Sequence, residues 1–189
     1  IANDIKIVGD TDNCLLYDFE PNADGLLWNT LVQWWGSAHT SENIQKDLFK
    51  RLLNSLDSQP EKDFFTQYYT IYQNANEYPA LIPQVYLHYD PHAKTWRGSN
   101  VVYTHQRMDF LMLLPNGIRV VIEIDGKQHY SKGDISSPKL YAEMMVDTRN
   151  LQLKGYEVYR FGGYEFMDSQ QMKQTVRDFF EMLFKKYSI

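Results

Sequence analysis

The chain has 189 residues, of which 43% are apolar, 15% aromatic and 23% charged. These values suit one globular domain and exclude a mainly disordered chain, because there is enough apolar surface to offset the entropy of ordering the backbone. The net charge of −5 argues against a protein that binds DNA through electrostatics alone, since such domains are usually basic.

The charge is divided unevenly along the chain. Residues 1–60 carry nine acidic and four basic side chains, whereas the remaining 129 residues carry fifteen of each. We therefore predict a boundary near residue 58, with an acidic, mainly helical N-terminal segment at 1–57 and the main domain at 58–189. If the main domain contacts a polyanion, metal ions or a partner domain must supply much of the positive potential.

Nothing in the sequence is typical of an exported or membrane protein. The longest apolar runs, such as 110–114, are far shorter than the roughly 18 residues that cross a bilayer. The first 25 residues hold six acids and the single base Lys6, the reverse of a secretory leader. The lone Cys14 excludes an internal disulfide and a cysteine-built zinc site. We expect a protein of the reducing cytoplasm and, because the numbering begins with Ile, a piece of a longer polypeptide.

The first part of the chain predicts short strands and three helices. Residues 5–8 and 14–17 are candidate strands, whereas apolar spacing predicts helices over 26–35, with Gly36 as the stop, and over 42–56. A third helix should begin after residue 58, where Ser58 and Glu61 form a capping box with Pro60 just inside, and should run to about residue 74.

Strands dominate the next part. Four segments are rich in β-branched, aromatic or large apolar residues and are bounded by turn-forming residues. They are 84–88, 101–104, 107–114 and 118–125. A helix over 138–153, a strand over 156–161 and an amphipathic helix over 169–186 follow. The first of these helices ends at Lys154 and Gly155, a common helix stop. The order of elements predicts an α/β domain.

The turn between the strands at 107–114 and 118–125 decides which acidic residues face each other. A two-residue turn would leave Asp109 and Glu123 on opposite faces of the sheet, because side chains alternate along a strand. A three-residue loop at 115–117 would set Asp109 directly opposite Glu123.

The residues of this loop favour the second arrangement. Pro115 suits the first central position of a type I turn, Asn116 the second, and Gly117 the left-handed bulge position that follows. We therefore predict a three-residue loop, with Leu114 paired to Ile118.

Three carboxyl groups would then surround one small volume. Directly opposed residues have Cβ atoms about 4.5 to 5.5 Å apart, and like charges at that distance destabilise a sheet. Asp125 lies on the same face as Glu123, about 6.6 Å further along the strand. A hard divalent cation resolves the repulsion, because Mg²⁺ binds carboxylate oxygens. We predict that Asp109, Glu123 and Asp125 bind Mg²⁺ or Mn²⁺.

Each candidate also has a purely structural interpretation. Asp125 could form a cross-strand ion pair with Arg107, which lies opposite it in this register. Asp109 and Glu123 could instead share a proton.

Two further residues follow the acids closely. Lys127 could orient an attacking water or stabilise charge on a phosphate oxygen, or be an ordinary solvated lysine. His129 could act as a general acid or base or contact phosphate, or be packed or exposed without such a role.

Several motifs occur in a fixed order between residues 58 and 166. They are Glu61, Arg107-x-Asp109-Phe110, Glu123-x-Asp125-Gly126 with His129 shortly after, Asp147-x-Arg149, and Gly155-Tyr156-x-Val158-x-Arg160-Phe161. On a helix-strand-strand-helix-strand plan, this order resembles the PD-(D/E)xK nuclease superfamily, in particular the group related to very-short-patch-repair endonucleases. The resemblance does not cover the first 57 residues.

The resemblance implies a restriction-endonuclease-like fold, with a mixed sheet flanked by helices, and Mg²⁺-dependent hydrolysis of phosphodiester bonds. It also implies that Asp109 and Glu123 are metal ligands and that Glu61 is an accessory carboxylate, although the capping box is another explanation of Glu61. The family motif reads Glu-x-Lys, whereas this chain has Asp at 125. Either Glu123-x-Asp125 with Lys127 nearby, or Asp125-x-Lys127, is then the working motif.

The same resemblance suggests roles for the basic residues. Arg107, His129 and Arg149 are the predicted substrate contacts, and Arg160 is expected to lean towards the site. Asp147 is interpreted as a salt-bridge partner, because residues two apart do not share a helix face.

We expect a metal-dependent endodeoxyribonuclease module of a longer chain, with DNA and neighbouring domains as partners and no membrane. The sequence does not decide whether the chain forms a homodimer. The alternative is a catalytically decayed nuclease-fold module for nucleic-acid binding or assembly. A third reading is a metal-dependent phosphodiesterase that acts on RNA or a nucleotide.

Overall fold

The predicted helices and strands form with small changes in their bounds. The computed structural model describes residues 15, 17, 23–75, 77–86, 107–127, 130–133 and 135–189. Its elements in chain order are α1 (Trp28–Ala38), α2 (Ile44–Leu53), α3 (Gln59–Tyr72), β1 (Ile82–Tyr86), β2 (Arg107–Leu114), β3 (Ile118–Asp125), β4 (Ser131–Lys132), β5 (Ile135–Ser136), α4 (Pro138–Leu153), β6 (Tyr156–Gly162) and α5 (Ser169–Tyr187). The predicted strand at 101–104 and the candidate strand at 5–8 lie outside the described residues, as does most of 14–17.

The end of the first helix differs from the prediction in an informative way. Gly36 was expected to end the first helix, but α1 continues through it to Ala38. A Cβ atom at Gly36 would approach Cγ2 of Ile44 to 3.2 Å. This glycine therefore allows close packing between α1 and the start of α2, a tertiary reason that helical periodicity does not contain.

Four strands form a mixed sheet in the order β1-β2-β3-β6. The pairs β1–β2 and β2–β3 are antiparallel, whereas β3 and β6 are parallel. The parallel pair needs a crossover, and α4 provides it. Strands β4 and β5 make a separate two-stranded hairpin. The predicted α/β class, a mixed sheet flanked by helices, is confirmed.

The sheet has a large aromatic core on one face. The Phe64 ring of α3 lies 5.4 Å from the Phe110 ring of β2, 5.3 Å from Phe161 of β6 and 5.6 Å from Phe180 of α5, measured between centroids. On the opposite face, Leu111 and Val121 pack with apolar residues that include Leu151 of α4. Helices therefore cover both faces, with α3 and α5 on one side and α4 on the other.

The first two helices share that aromatic core. Leu31 and Trp35 of α1 and Leu48 and Leu52 of α2 are buried in the same cluster as Phe64. The domain boundary at 57/58 stays a prediction, because shared packing does not decide it.

The segment before α1 is tied to the sheet. Gly25 has φ +80°, and a Cβ atom there would lie 2.2 Å from the Leu113 carbonyl oxygen. The next residue, Leu26, donates its N–H to the same carbonyl at 2.9 Å. Only glycine permits this approach. Within the described ranges, no helix has both the length and the apolar content to cross a membrane.

Candidate functional site

The β2–β3 turn sets the register that was predicted. Leu114 pairs with Ile118, and the ladder continues to Phe110 opposite Ile122. One further step in this register places Asp109 opposite Glu123. Both residues lie on the face of the sheet that α4 covers. The predicted three-residue loop is confirmed.

The conformation of the loop differs from the prediction. Asn116 has φ 62° and ψ 25°, so it is left-handed and the turn is not type I. Gly117 is also left-handed, with φ +73°. Asn tolerates this region better than most residues. Its N–H donates to the Ala23 carbonyl at 3.1 Å, a tertiary contact that turn statistics do not include.

Asp109 and Glu123 form a buried pair of acids. Each side chain belongs to a residue only 8% exposed. Oδ2 of Asp109 accepts a hydrogen bond from the Ile124 N–H at 2.8 Å, which fixes its carboxylate against β3. The two strands thus hold the pair rigidly.

Electrostatics at this pair favour a bound proton. Burial, first, and the neighbouring Asp109 charge, second, raise the pKa of Glu123 from 4.5 to about 8. Arg160 and a hydrogen bond with the Asp109 backbone act in the opposite direction, while Asp125 adds to the rise. With no cation bound, burial and the neighbouring charge therefore favour the protonated form of Glu123, which agrees with the shared-proton interpretation.

Asp125 has a different partner from the one expected. Arg160 of β6 binds it through two hydrogen bonds, from Nε to Oδ2 at 2.7 Å and from Nη2 to Oδ1 at 2.5 Å. Arg107 instead places Nη1 2.9 Å from Oδ2 of Asp57, and both of these side chains are well exposed. The cross-strand Arg107–Asp125 pair is therefore replaced by a pair with the parallel neighbour strand.

The prediction that Arg160 leans towards the site is confirmed. In the parallel ladder Arg160 lies beside Glu123. Its Nη1 also donates to Oγ1 of Thr148 on α4 at 3.2 Å. Because Thr148 is buried while Arg149 is exposed and Asp147 half-buried, the inward residue of this helix turn is the threonine, which sequence reasoning missed. A substrate contact by Arg149 stays a prediction.

Glu61 reaches the sheet edge through a glutamine. Ser58 Oγ donates to Oε1 of Glu61 at 2.6 Å, and Nε2 of Gln84 donates to Oε2 at 3.0 Å. Ser58 Oγ also accepts from the Glu61 N–H at 3.3 Å, which is the first hydrogen bond of the predicted capping box. The Glu61 carboxylate accepts from the Ser58 hydroxyl, and the residue is only 7% exposed, so this carboxylate is a buried acceptor.

Gln84 is the functional candidate that sequence reasoning did not single out. The β1–β2 register places it between the pairs Pro83–Phe110 and Val85–Met108, and so beside Asp109. Its φ of +54° is unusual for a strand residue, and strained backbone often occurs at functional sites. Its Oε1 atom is buried and has no hydrogen-bond partner within the described part of the chain. The only sequence signal was its position at the start of a predicted strand.

The amide of Gln84 has one chemically consistent orientation. A carboxylate accepts hydrogen bonds and donates none, so the Glu61 oxygen selects the amide nitrogen. The amide oxygen, Oε1, then takes no part in the contact with Glu61. Across the sheet, Gln84, Asp109, Glu123 and Arg160 occupy one level on four neighbouring strands.

The other predicted residues lie at the edge of this cluster. Lys127 is exposed, and its carbonyl accepts from Ser131 Oγ at 2.7 Å. His129 lies outside the described residues. Among the described side chains, no group of three or more His, Cys, Asp or Glu is arranged to hold a metal ion. The described residues that could hold a cation are Asp109 and Glu123, which face each other across β2 and β3.

Comparisons with models of known protein families, with curated proteins and with solved structures give no match in any of the three.

Proposed function

We propose that this chain is a metal-dependent nuclease module that hydrolyses phosphodiester bonds, with DNA as the substrate, on a restriction-endonuclease-like fold. The observation that carries the proposal is the buried Asp109–Glu123 pair, which faces across the β2–β3 ladder at the position that the resemblance assigns to metal ligands. Burying two adjacent acids is unfavourable unless something neutralises them. The cytoplasmic location stays a prediction that depends on the lone Cys14 and the acidic start of the chain.

The donor set fits Mg²⁺ or Mn²⁺. Mg²⁺ takes one or two carboxylates and completes its shell with water and phosphate oxygens. Asp109 and Glu123 supply the carboxylates. Gln84 Oε1, which has no hydrogen-bond partner among the described residues, is a hard oxygen on the strand next to Asp109. When bound, such an ion neutralises developing charge and lowers the pKa of a water.

The remaining residues of the site orient neighbouring side chains and balance the charge of the acids. Glu61 accepts a hydrogen bond from the Gln84 amide nitrogen and so fixes this side chain. Arg160 neutralises Asp125 and lies beside Glu123, which limits the negative potential that an approaching phosphate meets. Lys127, two residues beyond Asp125, can direct its ammonium group towards a phosphate oxygen.

The test is a cleavage assay on plasmid, single-stranded DNA and RNA with Mn²⁺, Mg²⁺ or chelator. We expect chelator to abolish cleavage, and Glu123→Gln and Asp109→Asn to lower the rate at least about 100-fold, because each removes a charged ligand. Glu77→Gln, which changes an exposed acid, is the matched control and should cleave normally. Full metal-dependent activity in Glu123→Gln would refute the proposal, and cleavage confined to RNA would favour an RNA phosphodiesterase.

One observation favours a second candidate function. Arg160 occupies both oxygens of Asp125, so the third predicted carboxylate is engaged in an ion pair. A decayed nuclease-fold module for nucleic-acid binding or assembly would show this arrangement without cleavage. Calorimetric titration with Mn²⁺ separates the two. An active site should bind Mn²⁺ in the low millimolar range or tighter and lose it in Asp109→Asn, and Gln84→Leu should weaken binding.

A further inference from the structure

A cavity opens beside the acidic cluster, at the end of β3 and β6. Its volume is about 520 Å³, which lies within the roughly 300 to 1,000 Å³ of typical ligand pockets. Asp125 and Gly162 form one wall. The remaining lining residues are Tyr130, Ser136, Ser137, Pro138, Tyr141 and Met144. Because Asp125 lines the cavity, the ion pair between Asp125 and Arg160 lies at its edge.

Two of the lining residues are tyrosines, and local structure brings their backbones together. Tyr130 precedes the β4–β5 hairpin, and its carbonyl accepts the Ser137 N–H at 2.8 Å, so the hairpin returns the chain to the start of α4. Tyr141 lies one turn into α4, where its N–H donates to the Ser137 carbonyl at 3.1 Å. The side chains of Tyr130 and Tyr141 remain accessible, since the residues are 43% and 54% exposed.

The same face of α4 continues from the cavity to the acidic cluster. Ser137, Tyr141, Met144 and Thr148 follow one another at spacings of four, three and four, which keeps them on one side of the helix. The first three line the cavity, and Thr148 accepts a hydrogen bond from Arg160 at 3.2 Å. A molecule held by the tyrosines would therefore extend along α4 towards the acids.

We infer that this cavity binds an unpaired nucleobase of the DNA strand being cut, stacked on Tyr130 and Tyr141. The inference rests on the proposed nuclease function and specifies its substrate as single-stranded or locally unpaired DNA. Aromatic side chains stack on any base, because every base has a π-face. A paired base inside a duplex presents its edges rather than its faces, so the cavity selects against intact double helix.

The charge of the protein agrees with this mode of binding. A net charge of −5 leaves little general attraction for phosphates, so affinity must come from a local contact. Stacking in a largely apolar cavity supplies such a contact. The affinity for single-stranded DNA should therefore depend on salt less steeply than that of a basic DNA-binding domain.

The test is fluorescence anisotropy with a labelled 12-nucleotide oligo(dT) and with the matching dA·dT duplex, in chelator so that nothing is cut. We expect the single strand to bind more tightly, and Tyr130→Ala and Tyr141→Ala each to weaken its binding by roughly 5- to 100-fold. Tyr141→Phe should bind normally, because it keeps the ring. Tyr164→Ala is the matched control, since Tyr164 is 86% exposed and does not line the cavity.

Three results would overturn the inference. They are equal binding of single strand and duplex, unchanged affinity in both alanine variants, and a change of oligomeric state in Tyr141→Ala by sedimentation, which would make the cavity a self-association surface. Mn²⁺-dependent plasmid cleavage is measured separately with the wild-type chain. Selective single-strand binding without any cleavage would refute the nuclease proposal, and cleavage without a role for the tyrosines would refute only this inference.

Discussion

Protonation of Glu123 should make the stability of the metal-free protein depend on pH. The pKa of this carboxyl is raised from 4.5 to about 8 in the folded chain by burial and by Asp109. The folded state therefore binds the proton more tightly than the unfolded state. The stabilisation is fully present below about pH 4.5 and is lost as the pH rises through about 8.

The size of this effect follows from the shift. At about 1.4 kcal/mol per pH unit, the upper limit is about 5 kcal/mol, and relaxation of the site reduces it. We expect the wild-type chain in chelator to lose between about 1 and 4 kcal/mol of unfolding free energy between pH 5 and pH 9 through this group. The Glu123→Gln variant cannot ionise at this position. Between pH 5 and pH 9 it should therefore lose less unfolding free energy than the wild-type chain, and at pH 9 it should be the more stable of the two.

Urea unfolding at a series of pH values measures the difference. Trp28 and Trp35 are buried and report the transition by fluorescence. Glu77→Gln should follow the wild-type pH dependence, because that acid is exposed. If Glu123→Gln and wild type lose stability in parallel from pH 5 to 9, the electrostatic account of the acid pair is wrong. Saturating Mn²⁺ at pH 8 should stabilise wild type but not Glu123→Gln.

Two further predictions concern buried contacts. Arg160→Ala leaves the Asp125 charge buried without its guanidinium and should cost about 3 to 5 kcal/mol of unfolding free energy, whereas Arg107→Ala breaks an exposed pair and should cost less than about 1 kcal/mol. Equal losses in the two variants by urea unfolding would contradict this. Gly25→Ala should cost more than about 2 kcal/mol, since its Cβ would lie 2.2 Å from a backbone oxygen. Gly133→Ala is the control, because Gly133 also has a positive φ but a Cβ atom there has no described atom within 4 Å. If thermal melts show that the two variants are equally destabilised, the steric explanation is wrong.

Local signals predicted much of the sheet and its helices. The bounds of β2, β3 and α4 agree with the predicted 107–114, 118–125 and 138–153, because turn residues mark each end. The register of the hairpin was also predicted correctly, since one proline excludes the shorter turn. Two acids on neighbouring strands could therefore be placed opposite each other from the sequence alone.

The parts that failed depend on contacts between distant residues. The partner of Asp125 is 35 residues away on a strand that pairs in parallel, so a hairpin register could not reveal it. Gly36 lies close to the Ile44 side chain of the next helix. The N–H of Asn116 donates to the carbonyl of Ala23, which lies far from it in the sequence. Gln84 lies beside the acids because β1 adds to the other edge of β2. None of these contacts has a signature within a short window of sequence.

The parallel pairing of β3 with β6 has a consequence for folding. Arg160, the partner of Asp125, follows it by 35 residues and lies beyond the crossover helix α4. The β2–β3 hairpin on its own therefore lacks this guanidinium, although it already brings the acids together. The strand that completes the sheet is thus also the strand that neutralises Asp125.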